Sequence, residues 1–212
     1  MREITVEEYL EYVKNNKQIV IEDQIIEIKP IDIERLMPTR EELTDISTTV
    51  WSFPARGGWA THKGDYRGNW APQIPRALIL KYTKPGDLVL DQMVGSGTTC
   101  IEARLLGRNC ISVDINYNAV ILTLHRLYYL EEYAKNVKQK AYTLLTYSDF
   151  GKDDVQTAVE NVLNTKSTIY HGDARALDKI SDETIDLIAT HPPYFNIIRY
   201  GQGENEVCGD LS

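Results

Sequence analysis

Between positions 88 and 189 four short apolar runs each end beside residues suited to chemistry. Leu88-Val-Leu-Asp91 leads into the turn Val94-Gly-Ser-Gly-Thr-Thr99. Cys110-Ile-Ser-Val-Asp114 ends in an acid. Ser167-Thr-Ile-Tyr-His171 is followed by Gly172-Asp173, and Asp186-Leu-Ile-Ala189 by Thr190-His-Pro-Pro-Tyr194. Helical stretches separate the runs: 99–106, closed by Gly107; 119–135, apolar on more than one side and so expected to be buried; and a polar stretch reaching about 163. Strands alternating with helices at this spacing imply a parallel sheet with right-handed crossovers. The expected fold class is therefore α/β, a mostly parallel sheet with helices on both faces. Ligands of such sheets bind beyond the carboxyl ends of the strands, where all four motifs would meet.

The preceding residues read as an annex, 1–50, joined to a main domain, 51–212. Thr5 and Glu8 have capping-box spacing, so a helix is expected over 6–15, with Tyr9, Leu10 and Val13 on its core face. Residues 18–29 read as a hairpin or two short strands. Thr39 and Glu42 repeat the capping-box spacing and open a second short helix. Residues 51–77 carry Trp51, Trp59 and Trp70 among glycines, prolines and arginines, which marks an ordered loop. A helix is expected over 75–82, with Pro75 in its first turn.

Composition removes several classes. With 42% hydrophobic residues the 212-residue chain is not disordered, and no apolar run approaches the roughly 20 residues of a membrane span. The start lacks the apolar stretch of a secretory signal. Cys100, Cys110 and Cys208 are too few and too scattered for a disulfide framework or a zinc site. Cys100 and Cys110 are expected to be packing residues, no metal is implied, and a reducing, cytoplasmic setting is expected. The net charge of -8 argues against a passive nucleic-acid coat protein. Locally, Arg56, Lys63, Arg67, Arg76, Lys81 and Lys84 face only Asp65 across 54–85. This basic stretch is either a solvated loop or a surface for phosphates.

Each strand end has a chemical and a plain reading. Gly95 and Gly97 let a ligand approach the backbone, and the following helix N-terminus suits an anion. A dinucleotide fingerprint would need a third glycine and a P-loop a Gly-Lys-Ser/Thr, and neither is present. Asp114 can accept both hydroxyls of a ribose, or cap a helix. Asp173 can accept from an adenine amino group, or cap a helix. His191-Pro192-Pro193-Tyr194 is the sharpest feature. Its prolines hold peptide carbonyls in fixed positions, His191 adds a side-chain acceptor, and Tyr194 offers a face for a base.

Together these residues resemble the S-adenosylmethionine-dependent amino-methyltransferases of nucleic acids, chiefly the N4-cytosine and N6-adenine DNA methyltransferases of restriction-modification systems. Asp91-Gln-Met-Val-Gly-Ser-Gly-Thr-Thr99 is similar to the family's Asp-Pro-Phe-x-Gly-x-Gly-Thr-Thr cofactor motif, with Gln92 and Met93 in place of Pro and Phe. His191-Pro-Pro-Tyr194 is similar to the (Asp/Asn/Ser)-Pro-Pro-Tyr catalytic motif, and residues 68–75 to a segment that closes over the methionine end. The motif resemblance covers about 51–200. It implies a Rossmann-like methyltransferase fold and S-adenosylmethionine as cofactor. The cofactor would be held by Asp91, Met93, Gly95, Gly97, Thr98, Thr99, Asp114 and Asp173. His191, Pro192, Pro193 and Tyr194 would grip a target amine on a base flipped out of duplex DNA. Thr190-His-Pro-Pro-Tyr favours N4 of cytosine over N6 of adenine. A C5-cytosine enzyme is disfavoured, since its nucleophile is a Pro-Cys at the fourth strand's end.

Three other readings remain at this point: the same chemistry on RNA, as in tRNA guanine-N2 methyltransferases, a non-catalytic subunit of the same fold, and an NAD-dependent oxidoreductase, disfavoured by the missing third glycine and the Pro-Pro-Tyr corner. The family sheet has seven strands, of which four are placed. The expectation is a fragment, or a chain completed by a second polypeptide or by self-association, with weak turnover alone.

Overall fold

In a computed structural model, which describes residues 1–21, 24–43, 49–53, 55–140 and 151–193, the chain opens with strand β1 (Arg2–Glu3) and helix α1 (Val6–Asn15). Thr5 caps α1 by accepting from the Glu8 amide. A hairpin of β2 (Gln18–Ile21) and β3 (Gln24–Glu27) follows. The second capping box also forms: Glu42 accepts from the Thr39 amide at 2.7 Å and Thr39 from the Glu42 amide at 3.4 Å. Residues 40–42 make a turn, Glu42 is also held by both terminal nitrogens of Arg35 at 2.6 Å, and the residues into which the expected helix would run, 44–48, lie outside the described residues.

The repeating part consists of α2 (Gln73–Tyr82), β4 (Leu88–Asp91), α3 (Thr98–Leu105), β5 (Asn109–Asp114), α4 (Tyr117–Gln139), α5 (Lys152–Asn164), β6 (Ser167–His171) and β7 (Leu187–Ile188). The sheet order is β1-β6-β5-β4-β7. β4 to β7 are mutually parallel where they pair, and β1 closes one edge antiparallel to β6. The fold is thus α/β and Rossmann-like, as expected. The chain steps from β4 to β5 to β6 through helices, then returns to the far side of β4 as β7. That reversal places a crevice between the carboxyl ends of β4 and β7, where ligands of doubly wound sheets bind. The return segment, 172–186, is built of turns.

Burial follows the apolar pattern. All eight residues of α3 are buried, and α4 is buried from Ala119 to Leu127 and again at Leu130, Ala134 and Val137. One expectation needs correction and one is narrowed. Cys100 and Cys110 are buried, but they also form a disulfide, with Cα atoms 5.6 Å apart. The first turn of α3 lies directly over β5, a proximity that the ten-residue separation does not reveal. The basic stretch is not a uniformly basic surface either. Arg76 is buried against Glu102, and Arg56 turns inward to the Gly57 and Trp70 carbonyls.

Candidate cofactor and substrate cleft

The centre of the site is the turn that carries β4 into α3. Gly95 (φ 54°) and Gly97 (φ 86°) take the left-handed conformation that other residues rarely adopt. At Gly95 a side chain would also meet the Tyr66 ring, 3.0 Å from where a Cβ would sit. From below, α4 braces the turn: Thr123 donates to the Gly95 carbonyl at 3.0 Å and Arg126 to the Ser96 carbonyl at 3.1 Å. From the side, Thr98 donates to Asn69 at 2.6 Å, tying α3 to the loop that forms the facing wall.

Asp91 ends β4 only 2% exposed. It accepts from Thr99 Oγ1 at 2.5 Å and from the Met93 amide at 3.2 Å. No basic side chain among the described residues bonds it, so burial wins and pushes its carboxyl up to about 6. Asp114 ends β5 and accepts from the Gly95 amide at 2.8 Å and the Asn116 amide at 2.9 Å. Burial raises it as well. Its helix-capping reading falls away, because Asn116 caps α4 by accepting from the Asn118 and Ala119 amides. Asp173 follows β6 and accepts from the Arg175 backbone and guanidinium at 2.5–3.0 Å, which holds its carboxyl below the usual range. Residues 174–175 form a turn, so Asp173 caps no helix.

These ends enclose a cleft of about 1070 Å³, its open mouth included. Asp91, Met93, Gly95 and Thr98 line one side, with Asp114 and Asp173 beyond them and His191 and Pro193 at the β7 end. Gly97 and Thr99 lie behind the lining, Pro192 is exposed, and Tyr194 lies outside the described residues. His191 is held twice. Its Nδ1 lies 2.9 Å from the Gly68 carbonyl, and its ring stacks on Trp70 at an interplanar angle of 9° with centroids 5.4 Å apart. A carbonyl only accepts, so Nδ1 carries the proton and Nε2 is the acceptor in the neutral ring.

Asn69 and Trp70, in the 68–75 segment that the resemblance placed over the methionine end, line the wall opposite the turn. Sequence reasoning missed Tyr66 beside them and Ser96, whose buried Oγ has no hydrogen-bond partner among the described residues. It also missed the anchor of that wall. Glu102 of α3 accepts from Trp59 Nε1 and His62 Nε2, both at 2.7 Å, and from Arg76 at 2.9 Å. The one signal was an acid inside a helix otherwise suited to full burial.

The sequence profile of a family described as DNA methylase matches residues 3–124, more than half of the chain. The chain belongs to the DNA methylase family. A second profile, described as an RMKL-like methyltransferase domain, matches 66–205. The first match reaches into the annex, which the motifs alone do not touch. The chain is 34% identical over 92 residues to the type II methyltransferase M2.MboI of Moraxella bovis, covering 43% of this chain and 34% of that one. It is 33% identical over 133 residues to the DNA adenine methyltransferase YhdJ of Escherichia coli (58% and 44%). It is 29% identical over 128 residues to a tRNA (guanine(10)-N2)-dimethyltransferase of Methanocaldococcus jannaschii (60% and 29%). The chain thus spans less than half the length of each of these relatives.

Proposed function

We propose that this chain carries the cofactor and catalytic motifs of a site-specific DNA methyltransferase that moves a methyl group from S-adenosylmethionine to an exocyclic amino nitrogen. N4 of cytosine is favoured over N6 of adenine. The observation that carries the reading is His191, held by Gly68 and Trp70 with Nε2 as its acceptor, at the mouth of a cleft floored by Asp91 and the glycine-rich turn.

The residues fit the cofactor by the character of their unmet groups. Asp91 is a buried carboxylate that no basic side chain among the described residues bonds, suited to an ammonium. The buried Ser96 hydroxyl and the helix N-terminus behind it suit a carboxylate. Asp114 and Asp173 would take the ribose hydroxyls and the adenine amine, with Met93 against the ring. When bound, the cofactor supplies a methyl group on a positively charged sulfur. His191 Nε2 and the Pro192 carbonyl accept from the target amine and orient its lone pair, a role that a protonated imidazole cannot fill. Tyr194 stacks on the flipped base. The expected setting is the cytoplasm. No helix among the described residues is long and apolar enough to cross a membrane.

The test is a single-turnover assay. Stoichiometric protein is incubated with methyl-labelled S-adenosylmethionine and duplex DNA, and the nucleosides are resolved by mass spectrometry. N4-methylcytosine supports the reading, and N6-methyladenine would move it to the other base. The RMKL-like profile and the tRNA-methylating relative favour a second reading, methylation of guanine N2 in tRNA, which N2-methylguanosine from a tRNA substrate would establish. Unlabelled nucleosides throughout would overturn both.

A further inference from the structure

Arg126 sits in the middle of α4, 0% exposed, and is not itself among the residues that line the cleft. Burying a guanidinium is costly unless its geometry is well met. Its two terminal nitrogens go to different places. NH1 donates to the Ser96 carbonyl in the glycine-rich turn at 3.1 Å, and NH2 pairs with Asp65. Asp65 immediately precedes Tyr66, the ring that lies on Gly95 across the cleft. One rigid, planar group therefore spans the two walls between which a ligand must fit. A second tie, Thr98 to Asn69, runs parallel to it.

We propose that Arg126 is a positioning residue for cofactor binding, fixing the spacing between the glycine-rich turn and the aromatic wall from behind. This inference rests on the cofactor reading above. Arginine suits the task because its fork fixes two partners at a set separation. A lysine ammonium keeps the charge but is a single point on a flexible stem. With one tie lost, the turn and the wall would move independently, and binding would have to order them at a cost in affinity. Once the cofactor had ordered them, the chemistry at His191 would proceed nearly as before.

The experiment is calorimetric titration of S-adenosylhomocysteine into wild-type protein, Arg126→Lys, Asp65→Asn and the double variant, beside single-turnover methyl transfer at saturating cofactor. Thermal melts followed by circular dichroism establish which variants are folded. Expected is a rise of about tenfold in Kd for each single variant, within the range of coupling seen for residues that contact no ligand. The double variant should be no worse than Arg126→Lys, because both break one tie. Transfer rates at saturation should stay within about threefold of wild type, a split between affinity and rate that simple destabilisation would not produce. If Arg126→Lys does not fold, Asp65→Asn carries the test from the more exposed partner. Wild-type binding with unchanged Kd in the folded variants overturns this inference alone. An unchanged Kd with a lost rate does the same. Absence of binding by the wild type overturns both this inference and the cofactor reading.

Discussion

Two buried carboxylates lie on either side of the glycine-rich turn, and their fates are opposite. Glu102, 0% exposed, receives an indole N–H, an imidazole N–H and the Arg76 guanidinium. Burial would raise its carboxyl, but Arg76 and His62 outweigh it and hold it below its ordinary value. Asp91, 2% exposed, receives among the described residues only hydroxyl and amide hydrogens, so burial dominates and lifts it to about 6. Equal burial with unequal partners separates a structural anchor from a site. Glu102 is complete within the protein, whereas Asp91 lacks a cation that a ligand could bring.

The comparison can be broken most severely at Glu102. Glu102→Ala strands Arg76 without its carboxylate, and loss of one partner of a buried pair costs about 3–5 kcal/mol. Urea denaturation should show that loss, and a variant as stable as wild type would remove Glu102 as an anchor. Asp91→Asn should do the reverse. A rise from 3.8 to about 6 corresponds to about 3 kcal/mol of strain above pH 6, an upper limit on the stability the amide could recover. Denaturation at pH 8 should therefore show an unchanged or more stable protein, while titration with S-adenosylhomocysteine shows weakened binding. A strongly destabilised Asp91→Asn would make the two acids alike.

The pH dependence is the next largest effect. Between pH 3.8 and about 6 folded Asp91 binds a proton that the unfolded chain has released, so its contribution to stability falls as pH rises through that window. A ligand ammonium prefers the ionised form, so cofactor affinity should instead fall as pH drops below about 6, by up to about tenfold per unit. Titrations at pH 5 and 7.5 check this, and Asp91→Asn should flatten the profile. The smallest effect belongs to the exposed pair at the far end of the cleft. Arg175→Ala frees Asp173 but should leave the melting temperature unchanged, since exposed pairs contribute little.

The parts legible in the sequence were those whose signal is local. The limits of β4 and β6 follow from apolar runs closed by an acid or a histidine, and α1 starts where Thr5 and Glu8 say it should. The strand-end residues Asp91, Asp114, Asp173 and His191 meet around one cleft because parallel strands end together. What could not be read lies far apart along the chain or in the backbone. Nothing in Arg2-Glu3 announces a strand paired with residues 170–171. The Gly68 carbonyl that orients His191 belongs to no side chain, and the pairing of Cys100 with Cys110 depends on how α3 lies on β5. The basic stretch, left open between a solvated loop and a phosphate surface, shows the same limit, since counting charges does not tell that Arg56 and Arg76 face inward.

The strand order also sets a sequence of events in time. During synthesis β4 can join β5 and β6 as soon as they emerge, but its other edge has no partner until residues 187–188 arrive, after the amide of Leu88 has waited for Asp186 98 residues further on. Until then the growing chain presents an open row of peptide groups beside the buried Asp91, a ready template for a neighbouring nascent chain. Newly made protein is open to misassembly in the interval before the ribosome delivers β7 and the His191 that follows it.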